Sequence, residues 1–269
     1  MSNAAIRWRP TPLLALSILL HAAAVIALIV YPASWAWSLL AIVVNHAVLT
    51  VFGFWPQSRM LGPNWDRLPQ AAIDRGEVAL TFDDGPDPVV TPQVLTILDA
   101  HGAKATFFSI GRNVARHPEV ARDIVRRGHA LENHSDGHGW HFSLMGVDAI
   151  TRELAAAQAT IAGVTGVTPT FFRAPAGVRS PLLEPALCRV GLRVVSWTRR
   201  GFDTVQRDPE HVLRRLLGDL RAGDILLLHD GNSALTASGS PVILEVLPKV
   251  LLAVRAAGLS PVTLRETLP

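Results

Sequence analysis

The chain has 269 residues, of which 49% are hydrophobic and only 17% charged. Its mean hydropathy of +0.29 is high for a soluble protein and points to segments buried in a membrane. The formal net charge of +3 comes from 25 Lys/Arg against 22 Asp/Glu, an excess too thin for a nucleic-acid binder and suited at most to an anionic membrane surface. A single cysteine, Cys188, excludes an internal disulfide, a CxxC motif and an all-cysteine metal site, so any protein-bound metal must rest on His, Asp or Glu.

Residues 1–55 are a different material from the rest. No charged residue occurs from Leu13 to Val30, and none from Trp35 to Trp55. Each run is long enough to cross a hydrocarbon core as a helix, and Tyr-Pro-Ala-Ser at 31–34 makes a tight link between them. Trp8, Tyr31, Trp35, Trp37 and Trp55 stand at the ends of the runs, where an aromatic belt belongs. A cleaved signal peptide is the poorer reading, because no A-x-A site follows the first run and a second apolar run does. Residues 1–55 are therefore expected to form a membrane helical hairpin with lipid as its partner. Asn45 and His46, costly in lipid, are expected to hydrogen-bond across the helix pair. Arg7 and Arg9 precede the first run, and Arg59 and Arg67 follow the second. Positive-inside counting thus puts both ends on the cytoplasmic face of the membrane, taken as a bacterial inner membrane. If only one run spans, the C-terminal domain faces outside.

Residues 56–76, rich in Pro, Gly and polar side chains, read as a linker. From 77 to 269 short β-rich runs alternate with longer helical patterns. The strands expected are VALTF (78–82), ATFFSI (105–110), ALEN (130–133), TFFR (170–173), RVVSW (193–197), DILLL (224–228) and PVTL (261–264). Helices are expected near 92–100, 114–127, 148–162, 181–190, 208–221 and 241–257. Thr91-Pro92, Ser180-Pro181, Asp208-Pro209 and Ser240-Pro241 each place a capping residue before a first-turn proline. Gly102, Gly128, Gly191 and Gly223 follow helix ends. The alternation predicts an α/β fold with a parallel sheet, and seven strands suggest a barrel slightly short of eight.

Parallel α/β folds carry their sites at the carboxyl ends of strands. Asp83-Asp84-Gly85-Pro86 follows the first strand, NHSDGH the third, Arg173-Ala174-Pro175-Ala176-Gly177 the fourth, TRRGFD the fifth and His229-Asp230 the sixth. His134 and His138 are four apart, so one helical turn would put both rings on one face. With a carboxylate they form a two-histidine, one-carboxylate set suited to zinc or another divalent transition metal. Successive side chains at a strand end diverge, so one of the paired aspartates can bind the metal while the other approaches the attacking water. Other conspicuous residues have structural readings. His101, His117 and His211 read as surface, His129 as structural, and His141 stays outside the metal set. Asp87 tightens a turn, Asp230 bonds the loop carrying His229, and Cys188 packs in the core.

The motifs TFDDGP, HSDGH, RAPAG, WTRRGFD and LLLHD, in that order, resemble those of the polysaccharide deacetylase family, the NodB-homology domain of carbohydrate esterase family four. The resemblance covers roughly residues 77–266. It implies an incomplete (β/α)7 barrel of the NodB-homology type, here preceded by the hairpin. The activity implied is that of a metal-dependent hydrolase of carbon–nitrogen (non-peptide) bonds, removing N-acetyl, sometimes O-acetyl, groups from sugars. Carried over by motif, it makes Asp83 the general base, and Asp84, His134 and His138 the ligands of a divalent metal, zinc first, with cobalt, nickel or manganese as alternatives. It makes Arg173 the group that orients Asp83, and Ala176 the N–H donor to the oxyanion. Asp203 would orient His229, the general acid, and Leu227 would line the acyl pocket. The chain departs from the family pattern at Ala176, usually aromatic, and at Arg200 and Thr204, where an Asp and a Trp are common. The substrate expected is a polysaccharide or a lipid-linked saccharide bearing an N-acyl amino sugar. The hairpin and Arg199-Arg200 make a lipid-linked or otherwise anionic glycan attractive. The alternative is a catalytically silent glycan-binding or scaffold protein at the membrane.

Overall fold

The computed structural model describes residues 7–268. Helix α1 (Pro12–Val30) begins where Thr11 Oγ1 accepts from the N–H of Leu14, with Pro12 at the first helical position. A short 3₁₀ turn at Pro32–Ser34 leads into α2 (Trp35–Phe54). In each helix only 17% of the most apolar stretch is buried, unlike the core helix of a soluble protein. Where the two helices face each other the costly polar groups find partners. Asn45 Nδ2 donates to Ser17 Oγ (2.8 Å), and His46 Nε2 lies 3.3 Å from His21 Nε2. The hairpin is tied to the rest of the chain at its open end. Leu14 and Leu49 pack on Leu61, Thr11 Oγ1 donates to the Met60 carbonyl (2.6 Å), and the Gly53 carbonyl accepts from Arg179 N–H (3.0 Å). A Cβ at Gly53 would lie 2.5 Å from the Arg179 carbonyl oxygen, so only glycine permits this approach.

Residues 56–76 are packed along the domain. Leu61, Leu68 and Ala72 are buried, the last within α3 (Gln70–Asp74). Trp65 exchanges backbone hydrogen bonds with Val194 and Ser196, so this stretch pairs with the chain just beyond the edge of the sheet. These three buried apolar residues, scattered among Pro and Gly, carry no helical or strand period, which is why the stretch reads as a linker in sequence.

The sheet has eight parallel strands: β1 (Glu77–Asp83), β2 (Thr106–Ser109), β3 (Ala130–Asn133), β4 (Phe171–Phe172), β5 (Arg193–Val194), β6 (Arg199–Arg200), β7 (Ile225–His229) and β8 (Ser260–Val262). Their order is β5-β4-β3-β2-β1-β7-β6, with β8 also paired to β1. No pairing joins β5 to β6 among the described residues, so the barrel is incomplete. The count exceeds the expected seven because Arg199–Arg200, two charged residues with no apolar pattern, becomes a strand only through pairing with Leu226 and Leu227.

The crossovers are α4 (Val90–Ala100), α5 (Gly111–Arg116), α6 (Pro118–Arg126), α7 (Val147–Thr165), α8 (Leu183–Val190), α9 (Pro209–Leu217) and α10 (Val242–Ala256). The helix expected at 114–127 is split into α5 and α6. His117 precedes Pro118, whose ring disfavours helical backbone at the residue before it, and His117 sits at φ −127°, ψ 56°. Of the four Ser/Thr/Asp-Pro caps, Asp208 caps as expected, accepting from Glu210 N–H. Thr91 instead lies inside α4, whose start is held by Asp87 Oδ1 accepting from Val89 and Val90 N–H.

Strand alternation sorts β1 between two environments. Val78, Leu80 and Phe82 pack outward against α4 and α10, with Val94, Leu98, Val246 and Val250. Ala79 points into the barrel interior with Phe108, Phe171, Ile225 and Leu227. Thr81 and Asp83 continue that inward face, which carries Asp83 to the barrel mouth.

Candidate active site

Asp83 ends β1 and stands in register with His229, the last residue of β7. Behind it lies Arg173, just past β4 and fully buried. Its Nη1 donates to Asp83 Oδ1 (2.7 Å) and Thr81 Oγ1 (2.7 Å), its Nη2 donates to the Ser196 carbonyl (2.9 Å), and the guanidinium lies 4.2 Å from the Phe108 ring centroid. A buried charge is tolerable only when paired and hydrogen-bonded in this way. The pair fixes one oxygen of Asp83 and leaves Oδ2 facing the histidines, 3.9 Å from His134 Nε2.

Asp84 turns away from its neighbour through a left-handed backbone (φ 73°). Its Oδ1 lies 3.3 Å from His134 Nε2 and 3.2 Å from His138 Nε2. His134 Nδ1 is 2.8 Å from the Arg173 carbonyl, which can only accept, so Nδ1 carries the proton and the Nε2 lone pair points into the site. The two histidines do not share a helical turn, as their spacing suggested. Residues 134–138 form a loop in which Ser135 (φ 63°) and His138 (φ 49°) are left-handed, and Ser135 Oγ accepts from His138 N–H (3.0 Å). That loop brings the ring centroids within 4.8 Å.

Burial alone would raise the Asp84 pKa, but hydrogen bonding to His134 and the nearby imidazoles hold it well below the usual carboxylate range. Burial likewise opposes charge on His134, yet Asp83 and Asp84 lift its pKa above the ordinary value. The same negative field attracts a dication. One ligand atom from each of Asp84, His134 and His138 lies within 4.8 Å of the others, and an imidazole–imidazole–carboxylate donor set fits zinc and its neighbours. Two asparagines that sequence reasoning missed hold Asp84. Asn113 Nδ2 donates to its carbonyl (2.9 Å), and Asn232 Nδ2 donates to its Oδ2 (3.1 Å). Asn232 follows β7 by three residues, so extending the strand-end survey past Asp230 would have reached it.

Beside Asp83 at the end of β7, His229 Nδ1–H donates to Asp203 Oδ1 (2.8 Å), while its backbone N–H donates to Asp203 Oδ2 (2.8 Å). Burial lowers the His229 pKa, but Asp203 outweighs it and the net direction is upward. Asp83, Asp84, His134, His138, Leu227 and His229 line one pocket of about 270 Å³. Ala176 (φ 54°), Gly177, Trp197, Arg200, Thr204 and Asn232 complete its wall. Arg173 and Asp203 stand behind the pocket, each holding a residue that faces it. Where the motif lacks an aromatic at 176, Trp197 supplies an indole wall.

The residues given structural readings stay out of this pocket. His129 Nδ1 accepts from Ala105 N–H (3.2 Å), and burial pushes its pKa down to about 4. Asp230 accepts from Thr91 Oγ1 (2.5 Å), tying the loop after β7 to α4 and not to itself; burial pushes its pKa up to about 7. Cys188 is only half-buried on α8.

Comparison with known proteins agrees with this geometry. The polysaccharide deacetylase family model matches residues 71–195, which excludes α1 and α2. A chitooligosaccharide deacetylase from Azorhizobium caulinodans is 36% identical over 159 residues, covering 59% of this chain and 75% of that protein. A peptidoglycan-N-acetylglucosamine deacetylase from Bacillus cereus is 30% identical over 193 residues, covering 71% of this chain and 87% of its own length. A solved peptidoglycan N-acetylglucosamine deacetylase superposes with a TM-score of 0.68 at 25% identity, over 76% of this chain and 92% of that one.

Proposed function

The chain belongs to the polysaccharide deacetylase family, and on that premise we propose that it hydrolyses the N-acyl group, N-acetyl first, of an amino sugar in a polysaccharide or a lipid-linked saccharide. The observation that carries this reading is the convergence of Asp84, His134 and His138 beside a pocket that Asp83 and His229, neighbours at the ends of β1 and β7, both line.

Asp84, His134 and His138 would hold a divalent metal, zinc first, with cobalt, nickel or manganese as alternatives. When bound, such an ion acts as a Lewis acid toward water and the amide carbonyl. The chain's own groups do the rest. Asp83, with one oxygen fixed by Arg173, takes the proton of the attacking water on Oδ2. The Ala176 N–H donates to the oxygen on which negative charge develops. Leu227 packs against the acyl methyl. His229, restricted to one tautomer by Asp203, presents Nε2–H to the sugar nitrogen, a poor leaving group until it receives that proton. Retention of both aspartates and both histidines in one cluster favours hydrolysis over a silent glycan-binding role.

The same proposal places α1 and α2 across a membrane as an anchor, since their exposed surface is apolar over nearly its whole extent. Positive-inside counting puts the domain on the cytoplasmic face of a bacterial inner membrane. The test is acetate release from an N-acetylglucosamine oligomer by zinc-loaded full-length protein. Asp83→Asn should lower the rate by about 10²–10⁴-fold, the usual contribution of a general base. Undiminished release in that variant overturns the assignment of the base, and none with any of the four metals overturns the reading.

A further inference from the structure

A second cavity, of about 490 Å³, adjoins the catalytic pocket and shares Trp197 and Arg200 with it. Its remaining wall includes Pro56, Gln57, Phe202 and Arg215. Two guanidinium groups stand here without a counter-charge. Arg200 and Arg215 each lie 4.7 Å from the Phe202 ring centroid, and Arg200 is also 5.4 Å from that of Trp197. Neither forms an ion pair among the described residues. Arg200 Nε is buried and has no hydrogen-bond partner. Arg199 differs, since its Nε is engaged by Asp224 Oδ2 (2.5 Å). Phe202, which carries both cations on its ring, holds a left-handed backbone (φ 61°). Cation–π contact with Phe202 holds both guanidinium groups at the cavity wall, Arg200 also against Trp197, with no side-chain hydrogen bond from either among the described residues, and guanidinium forks match phosphate oxygens.

The position of this cavity limits where a phosphate comes from. Pro56 and Gln57 follow directly from the end of α2, and Gln57 Nε2 donates to the Trp197 carbonyl (3.0 Å). With α1 and α2 as the proposed anchor, the cavity would open where α2 leaves the bilayer. An apolar cleft of about 600 Å³ opens at the same helix end, between the hairpin and the domain, lined in part by Leu49, Phe54, Leu144, Val178 and Leu182.

We infer that the Arg200–Arg215 cavity is a phosphate subsite, and that the substrate is an N-acyl amino sugar joined through phosphate to a membrane lipid. This rests on the deacylase reading above and narrows its substrate class. Phosphate on the Arg200 side would place the attached sugar in the adjoining catalytic pocket, with the hydrocarbon chain returning to the bilayer beside α2.

The test compares three probes with full-length zinc-loaded protein in lipid nanodiscs: polyisoprenyl-phosphate-linked N-acetylglucosamine, soluble N-acetylglucosamine 1-phosphate, and a neutral N-acetylglucosamine oligomer. The lipid-linked probe should give the highest kcat/KM. Arg200→Gln and Arg215→Gln should each lower the preference for phosphate-bearing over neutral probe by about tenfold or more, as expected for losing a charge-assisted hydrogen bond, and Arg215→Lys should restore part of it. A binding measurement separates this inference from the chemistry. Asp83→Asn protein should bind the lipid-linked probe, and adding Arg215→Gln should weaken that binding by a similar factor even if no probe is turned over. An unchanged preference and unchanged binding in both arginine variants overturn the subsite. Equal use of the soluble phosphate overturns the lipid source and leaves the phosphate site standing.

Discussion

Replacing Arg173 with methionine removes the buried guanidinium that is hydrogen-bonded to Asp83. Methionine has a similar length and suits the Phe108 environment, but it donates nothing to Asp83 Oδ1, Thr81 Oγ1 or the Ser196 carbonyl, which now receive bonds of 2.7, 2.7 and 2.9 Å. Arg173 and Asp83 are 0% and 4% exposed, so water cannot replace those bonds without opening the barrel. Removing one member of a buried ion pair typically costs about 3–5 kcal/mol, because the survivor is left charged and unpaired. For a domain of this size that corresponds to a fall in Tm of roughly 6–20 °C. The assay is thermal unfolding of full-length protein in detergent without metal, so that no bound cation compensates Asp83. Arg173→Met with Asp83→Asn should then be at least about 2 kcal/mol more stable than Arg173→Met alone, since the stranded charge is gone. Activity should stay lost in both, because each lacks a functional, oriented base. A Tm change under roughly 3 °C for Arg173→Met, or strictly additive effects in the double variant, refutes the coupling on which the positioning role depends.

Three further outcomes follow from named groups. Asp203→Asn should move the alkaline limb of the kcat/KM profile for acetate release to lower pH. His229 must be protonated to act as acid, Asp203 is what lifts its pKa against burial, and activity is lost as pH rises through that value; a limb that stays in place counts against His229 as the acid. Asp230 should be a liability at neutral pH. Its pKa, raised by burial from 3.8 to about 7, means that its favourable protonated form is lost as pH rises through that window, at a cost of about 4 kcal/mol by pH 8. Asp230→Asn should therefore gain stability relative to the parent as pH climbs from 4 to 8 in denaturant titrations, and a constant difference across that range would falsify the assignment. Chelation should lower the Tm of the zinc-loaded protein by roughly 5–10 °C if the metal was present at about 100 times its Kd. His134→Gln should show little metal-dependent Tm at all, and a shift equal to the parent's would remove His134 from the ligand set.

Legibility in the sequence tracked how local the determining forces are. β1 and β7 read correctly because both are nearly continuous apolar runs buried on both faces, the signature of a central parallel strand. The strand-end survey then reached Asp83, Asp84, His134, His138, Ala176 and His229 in the pocket wall, whereas Leu227 came only with the family resemblance. It failed where backbone geometry is set by tertiary partners. The four-residue spacing of His134 and His138 suggested a helix, but Ser135 and His138 are left-handed and the loop is fastened by hydrogen bonds to Asn133, Ser109 and Arg173. β6 was invisible because Arg199 and Arg200 become a strand only by pairing with β7. The break before Pro118 was legible in principle, and the apolar period running across it concealed the stop.

The contact between hairpin and domain lies beyond any sequence period, and its chemistry explains why. Arg179 is 5% exposed, and its guanidinium donates to the carbonyls of Ser58 (2.8 Å), Gly62 (3.4 Å) and Pro63 (3.3 Å), while its own N–H reaches Gly53 in α2. Every acceptor is a backbone carbonyl more than a hundred residues away, so no side-chain type at those positions announces the link. Burial lowers the Arg179 pKa to about 10, which still leaves it charged at neutral pH. Arg179 lies three residues beyond Ala176, on the segment whose 3₁₀ turn at Pro175–Gly177 walls the catalytic pocket. One short stretch thus carries the proposed oxyanion donor at one end and touches the end of α2 at the other. A hairpin serving only as a tether would need no such fit, and the coupling through Gly53 and Arg179 ties the pocket wall to the end of α2.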